Sequence, residues 1–329
     1  MDPTLYKDVV TARGFNYHYL FSPPKEGQQT LVFIHGFPST SYEWRYQASP
    51  QVPFFKEKGY GLIVPDTLGY GGSAKPTDPA LYQMSLIAKD VVDILDAEKI
   101  DQPVIIGHDW GSIITARIVQ IFPERVAAFG LLVASYQVPD PQFDYEKVLA
   151  FTKETMGYEL IGYWGFFNEE DAARVIEDNI EKFINIIYPD DPKLWITDLT
   201  PTGACRNYLL KKPAAPSPSW LTAEEKRNYS EALLKGGLAA PTCYYKAMLR
   251  HGKEDSETVT PEKYKTDKPA FFGAVSDNGV AIASFSIQQT KAYCQNLTVK
   301  EFQANHWVQV QRADEVNQEL EAWLRGLGL

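Results

Sequence analysis

Three side chains in this 329-residue sequence have the types and placement for covalent hydrolysis: Asp109, Asp277 and His306. Asp109 stands in Gly107-His108-Asp109-Trp110-Gly111, Asp277 in Ser276-Asp277-Asn278, and His306 in Asn305-His306-Trp307. A carboxyl with a reference pKa of about 3.9 is ionised at neutral pH and can attack without help from a base. Directed at a saturated carbon that bears a leaving group, Asp109 would form an alkyl ester. Breaking that ester needs a base to deprotonate water, the role open to His306. It also needs an acid to orient the ring and stabilise the imidazolium, the role open to Asp277. The ester carbonyl becomes an oxyanion in this step, and the backbone N–H groups of Phe37 and Trp110 are the candidate donors to it. Plainer roles stand beside these: Asp109 or Asp277 could cap a following helix, and Asp140 is a second acid past a strand end.

Such chemistry requires elements that bring distant residues to one place. Val104-Ile105-Ile106 is a β-branched run suited to a strand buried on both faces, and Ile113, Ile114, Arg117, Ile118 and Ile121 then recur at helical spacing up to Pro123. Between them Gly107 and Gly111 flank Asp109, as a tight strand-to-helix turn demands, because backbones approach closely there. This segment resembles the nucleophile elbow of α/β-hydrolases, with Asp where esterases carry Ser, and the order nucleophile, acid, histidine fits that fold. Further strands are expected at 15–20 (an antiparallel edge), 30–34, 61–64, 126–133, 270–275 and 297–302, and helices after Ser85, as its cap, and over Val316, Leu320, Trp323 and Leu324. Buried-type strands alternating with helices predict a mostly parallel, doubly wound sheet whose strand ends meet in one crevice. Residues 139–258 lose the strand pattern and are broken by prolines, which predicts a mostly helical cap (lid) inserted into a core made of 1–138 and 259–329.

Composition bounds the partners. A net charge of −10 argues against nucleic acid and anionic membrane surfaces, both of which select basic patches. No stretch approaches the length of a membrane span, and residues 1–20 contain no apolar signal core, so a cytoplasmic protein is expected. Three cysteines far apart in sequence suggest neither a disulfide framework nor a zinc motif.

With His35-Gly36-Phe37-Pro38, the Asp109 turn, and Asn305-His306-Trp307 followed by Glu315-Val316-Asn317-Gln318, the chain resembles the soluble epoxide hydrolases of the α/β-hydrolase fold over nearly its whole length. That family usually has Gly before the histidine, where this chain has Asn305. The resemblance implies conversion of an epoxide and water to a vicinal diol, with no cofactor and no metal. It also implies two lid tyrosines that protonate the leaving oxygen. Tyr163 matches the first, in Tyr163-Trp164-Gly165-Phe166-Phe167-Asn168-Glu169, with Asn for the family's Gln. Tyr245 matches the second, in Ala240-Pro241-Thr242-Cys243-Tyr244-Tyr245-Lys246, and Tyr158 and Tyr244 are the next candidates. Phe37, Trp110, Tyr163, Tyr245 and Trp307 are the implied substrate-lining residues, and the aromatic Trp164, Phe166, Phe167, Trp195 and Trp220 point to a hydrophobic or aryl epoxide. A dehalogenase would use the same aspartate, but Phe37 offers no side-chain donor for a halide. A fluoroacetate-type dehalogenase has Arg where this chain has Trp110. A silent, ligand-binding member of the fold is the third reading.

Overall fold

The computed structural model describes residues 2–48, 54–253, 255–276, 279–280 and 282–329. Eight strands form one sheet: β1 (Tyr6–Val10), β2 (Asn16–Ser22), β3 (Thr30–Ile34), β4 (Gly61–Pro65), β5 (Val104–His108), β6 (Ala128–Leu132), β7 (Ala270–Val275) and β8 (Leu297–Phe302). Their order is β1-β2-β4-β3-β5-β6-β7-β8. The β1–β2 and β2–β4 pairs are antiparallel, and every pair from β4 across to β8 is parallel. Strands β3 to β7 are buried at every residue, which is why they read as unbroken apolar runs.

The helices that matter most here are α1 (Met84–Ala97), α2 (Trp110–Ile121), α3 (Ile180–Ile187), α4 (Cys243–His251), α5 (Ala283–Tyr293) and α6 (Ala313–Leu327). Between β6 and β7 the described residues hold helices and no strand; this stretch is called the insertion below. An apolar cluster runs from the α1 and α2 face of the sheet into the insertion, joining Ile87, Ile114 and Trp110 to Phe167, Ile184 and Tyr245. A second cluster fills the opposite face, where Trp44, Phe55, Leu320 and Leu324 pack. Cys205, Cys243 and Cys294 are buried and unpaired. Among the described residues no helix is long and apolar enough to cross a membrane.

Three local expectations change. β2 is not the edge, because β1 lies outside it; the exposed Lys7 and Asp8 interrupt the pattern that would reveal β1. Ser85 does not cap α1: the cap position is Gln83, which makes no side-chain cap bond, and the Ser85 N–H donates to Asp255 Oδ1 at 3.0 Å. The same carboxylate accepts from Arg117 Nε of α2 at 3.2 Å, so one residue of the insertion ties two core helices together. Finally, β6 ends at Leu132, and Val133 takes a left-handed φ of 73°, a costly conformation for a β-branched residue.

Candidate active site

Asp109 sits between β5 and α2 with φ 54° and ψ −123°. The turn closes so tightly that a methyl group on Gly107 would overlap the Gly111 carbonyl, and one on Gly111 would overlap the Ile34 carbonyl. A side chain held in such a region of backbone space is aimed by the fold rather than by its own preference. Asp109 occupies the cap position of α2 yet makes no side-chain cap bond, so the capping role considered from sequence is not the one it plays.

Its two oxygens are differentiated. Phe37 N–H, on the loop after β3, donates to Oδ1 at 3.0 Å. Oδ2 lies 3.5 Å from His306 Nε2. Trp110 is the first residue of α2, where backbone N–H groups lack an acceptor within the helix. Burial pushes the Asp109 carboxyl up, but the hydrogen bond and charge of His306, with His108 and the Phe37 N–H, outweigh it and hold the group below the usual carboxylate range. Its side chain retains 23% of its surface against 6% for His306, so the carboxylate opens on to free space while the imidazole is enclosed.

His306 is held from several directions. Its ring packs on Trp195 (5.1 Å between centroids), Trp307 (5.0 Å) and His108 (4.8 Å). Its backbone carbonyl accepts from His108 Nε2 at 2.8 Å, which fixes the His108 proton on that nitrogen. Nδ1 of His306 has no hydrogen-bond partner among the described residues. Asp277, the sequence candidate for that position, lies outside the described residues. Asp140 is exposed and accepts from Gln142 N–H in a turn.

The tyrosines separate by what their hydroxyls do. Tyr158 donates to the Gly279 carbonyl at 3.2 Å and Tyr244 to the Leu68 carbonyl at 3.0 Å. Tyr163 and Tyr245 instead pack on each other, 5.7 Å between centroids, beside the nucleophile turn. Tyr245 lies edge-on to Phe37 at 4.9 Å and to Trp110 at 5.2 Å. Burial first, and the Asp109 charge among the further causes, push both hydroxyls up, so both stay protonated. Of the remaining aromatics, Phe167 packs on Phe37 and Tyr245, and Trp164 on Trp110. Trp307 stacks at 4.1 Å on Tyr188 of the insertion, and Trp220 lies by Tyr188 and Pro189, away from Asp109.

Sequence reasoning passes over Glu43. It is fully buried, accepts from Gln309 Nε2, and approaches His108 Nδ1 at 4.0 Å. Burial pushes its carboxyl up to about 7 and pushes His108, with help from His306, down to about 3. Nothing in the local pattern around Glu43 distinguishes it from a solvated loop glutamate. A crevice of about 390 Å³ on the outer side of the His306 loop is lined by Asp190, Trp220, Gln303, Asn305 and Arg312 among others; Asp109, Tyr163 and Tyr245 do not line it.

Comparison with known proteins bears on the fold and on overall similarity. A family model described as alpha/beta hydrolase fold matches residues 29–180. The chain is 26% identical over 299 residues to bifunctional epoxide hydrolase 2 of Mus musculus, covering 90% of this chain and 51% of that protein. It thus spans about half the length of this mammalian relative. It is 29% identical over 307 residues to an epoxide hydrolase of Caballeronia sordidicola, covering 90% of this chain and 87% of the relative. Among solved structures, epoxide hydrolase A from Mycobacterium thermoresistibile superposes with a TM-score of 0.79 at 26% identity over 98% of both chains. An epoxide hydrolase from an endophytic Streptomyces superposes with a TM-score of 0.80 at 25% identity, over 98% of this chain and 95% of that one. The chain has the α/β-hydrolase fold and, in sequence and architecture together, resembles the epoxide hydrolases built on it.

Proposed function

We propose that this protein hydrolyses a hydrophobic or aryl-substituted epoxide to a vicinal diol through an alkyl ester on Asp109. Oδ1 is engaged by the Phe37 N–H, which leaves Oδ2 to attack an oxirane carbon. As that C–O bond forms, the ring C–O bond breaks, and the released oxygen takes a proton from Tyr163 or Tyr245. His306 then deprotonates a water that adds to the ester carbonyl. The oxyanion is held by the N–H groups of Phe37 and Trp110; on its collapse the bond from the Asp109 carbonyl carbon to the alkyl oxygen breaks, the leaving oxygen takes the proton held by His306 to give the diol, and the second water proton returns to the tyrosinate, leaving a carboxylate that carries one oxygen from water. Asp277 is assigned as the acid that orients His306, and the insertion as a lid over the site. The resemblance to epoxide hydrolases adds support.

The observation that carries this reading is the pairing of a strained, outward-facing Asp109 with His306 at 3.5 Å. The two tyrosine hydroxyls left off the backbone carbonyls favour epoxide opening over dehalogenation, because an alkoxide needs an acid and a halide does not. A single turnover with excess enzyme in ¹⁸O-labelled water tests it. The ester route places unlabelled oxygen in the first diol and label in the Asp109 carboxyl. Label delivered directly into the diol would refute a covalent stage.

A further inference from the structure

Helix α3 lies in the insertion and ends at Ile187. The last carbonyls of a helix have no partner within it and are usually met by water or by the chain that follows. Here side chains gathered around His306 meet them. Trp195 Nε1 donates to the Ile186 carbonyl at 2.6 Å, and Trp307 Nε1 to the Ile187 carbonyl at 2.8 Å. One residue beyond the intervening Tyr188, the Pro189 carbonyl accepts from Asn305 Nδ2 at 3.1 Å. Trp195 and Trp307 are the two indoles that pack on the His306 ring, and Asn305 and Trp307 are its chain neighbours. Asn305 Oδ1 also accepts the Trp307 N–H at 2.9 Å, closing a turn across His306 itself. All four residues are at most 5% exposed, so these bonds are not traded with water at little cost.

We propose that Asn305 and Trp195 are positioning residues that lock His306 to the end of α3, so that ester breakdown depends on this lock and ring opening does not. Asn305 stands where the resembled family usually has glycine, and glycine has no amide with which to reach the Pro189 carbonyl. The Asn305 amide thus ties the base loop to the insertion, beside the bond from the Trp307 indole. Asn305 and Trp195 reach His306 directly, whereas Asp109 is aimed by its own turn; α3 meets the Phe37 loop through ring packing of Phe183.

The inference rests on the covalent route proposed above, and the test separates the two. Rapid-quench mass measurement with styrene oxide follows ester formation and ester loss as separate rates. Asn305→Ala removes both amide bonds. Trp195→Phe keeps a ring beside His306 but removes the donor to Ile186, and it carries the test if Asn305→Ala fails to fold. Each variant is expected to slow ester loss roughly tenfold or more while ester formation stays within about twofold, since small misplacements of a base are costly. The double variant is expected to be slower than either single by less than the product of their effects, because both act on one group. Equal slowing of both steps, or no change in ester loss for both variants, would overturn the inference. His306→Gln serves as the control: it should trap the ester, and if no ester forms on it, the covalent reading falls and this inference with it.

Discussion

Beneath Asp109 lies a carboxyl with a different task. Glu43 is sealed from solvent with one oxygen unpartnered among the described residues, so its neutral form is the one the fold tolerates. Its folded value of about 7 stands above the ordinary 4.5. A raised acid contributes stability below its unfolded value, and that contribution is lost as pH rises through the folded value. Between pH 5 and pH 8 the expected loss is roughly 2–3 kcal/mol. Glu43→Gln, which cannot ionise, should therefore lose less stability than the parent over that interval in denaturant titrations. An identical pH dependence in the two proteins would show that Glu43 does not ionise there. At this scale the paired Asp109 and His306 were legible as candidates because a tight turn constrains its neighbours: glycines stand on both sides of Asp109, and Trp follows His306. Glu43 was not, since burial of a loop glutamate is decided by Gln309 and His108, far away in the chain. Asn305 stands out in sequence only as a departure from the resembled family's usual Gly; its bonds with Gln311 and Trp307 are local, and its bond to Pro189 exists only once the insertion is folded against it.

Among the elements, Asp255 does what a local cap would normally do. It accepts the Ser85 N–H near the start of α1 and pairs with Arg117, which is 2% exposed. Removing it leaves a buried guanidinium without its carboxylate, an arrangement that costs about 3–5 kcal/mol. Asp255→Ala should lower the unfolding free energy by that amount and Asp255→Asn by less, because the amide still accepts the Ser85 N–H. A loss below 1 kcal/mol for the alanine variant would mean that water or another group replaces the pair. The central strands were legible because burial on both faces demands continuous apolar runs. β1 was not, because an edge strand with charged side chains carries no such demand. Nor could the start of α1 be read from nearby residues, since the group that satisfies it comes from 170 positions further along the chain.

For the molecule as a whole, residues of sheet and insertion complete the same packed surface, which predicts that the two unfold as one cooperative body. The buried thiols report on this directly. Cys205 and Cys243 lie in the insertion, and Cys294 lies just after α5 in the core. A water-soluble maleimide applied in moderate denaturant should label all three with one rate. Labelling of Cys205 and Cys243 well before Cys294 would show that the insertion opens on its own. The mostly parallel sheet and the helical character of the insertion were foreseeable from sequence periodicity, whereas the order of the strands and the interlocking of sheet and insertion through His306, Trp307 and Tyr188 depend on packing that no single segment encodes.

The end of α3 has one more consequence, and it concerns engineering. A helix whose last carbonyl, that of Ile187, is satisfied by Trp307, and whose following Pro189 carbonyl accepts from Asn305, is not a detachable cassette. Grafting this insertion on to another core would leave the Ile187 carbonyl without its donor, and a foreign insertion on this core would leave the Trp307 indole N–H without its acceptor, unless residues 305–307 travelled with the insertion. The natural unit of exchange is thus the insertion together with a tripeptide more than a hundred positions downstream of the helix end that it meets.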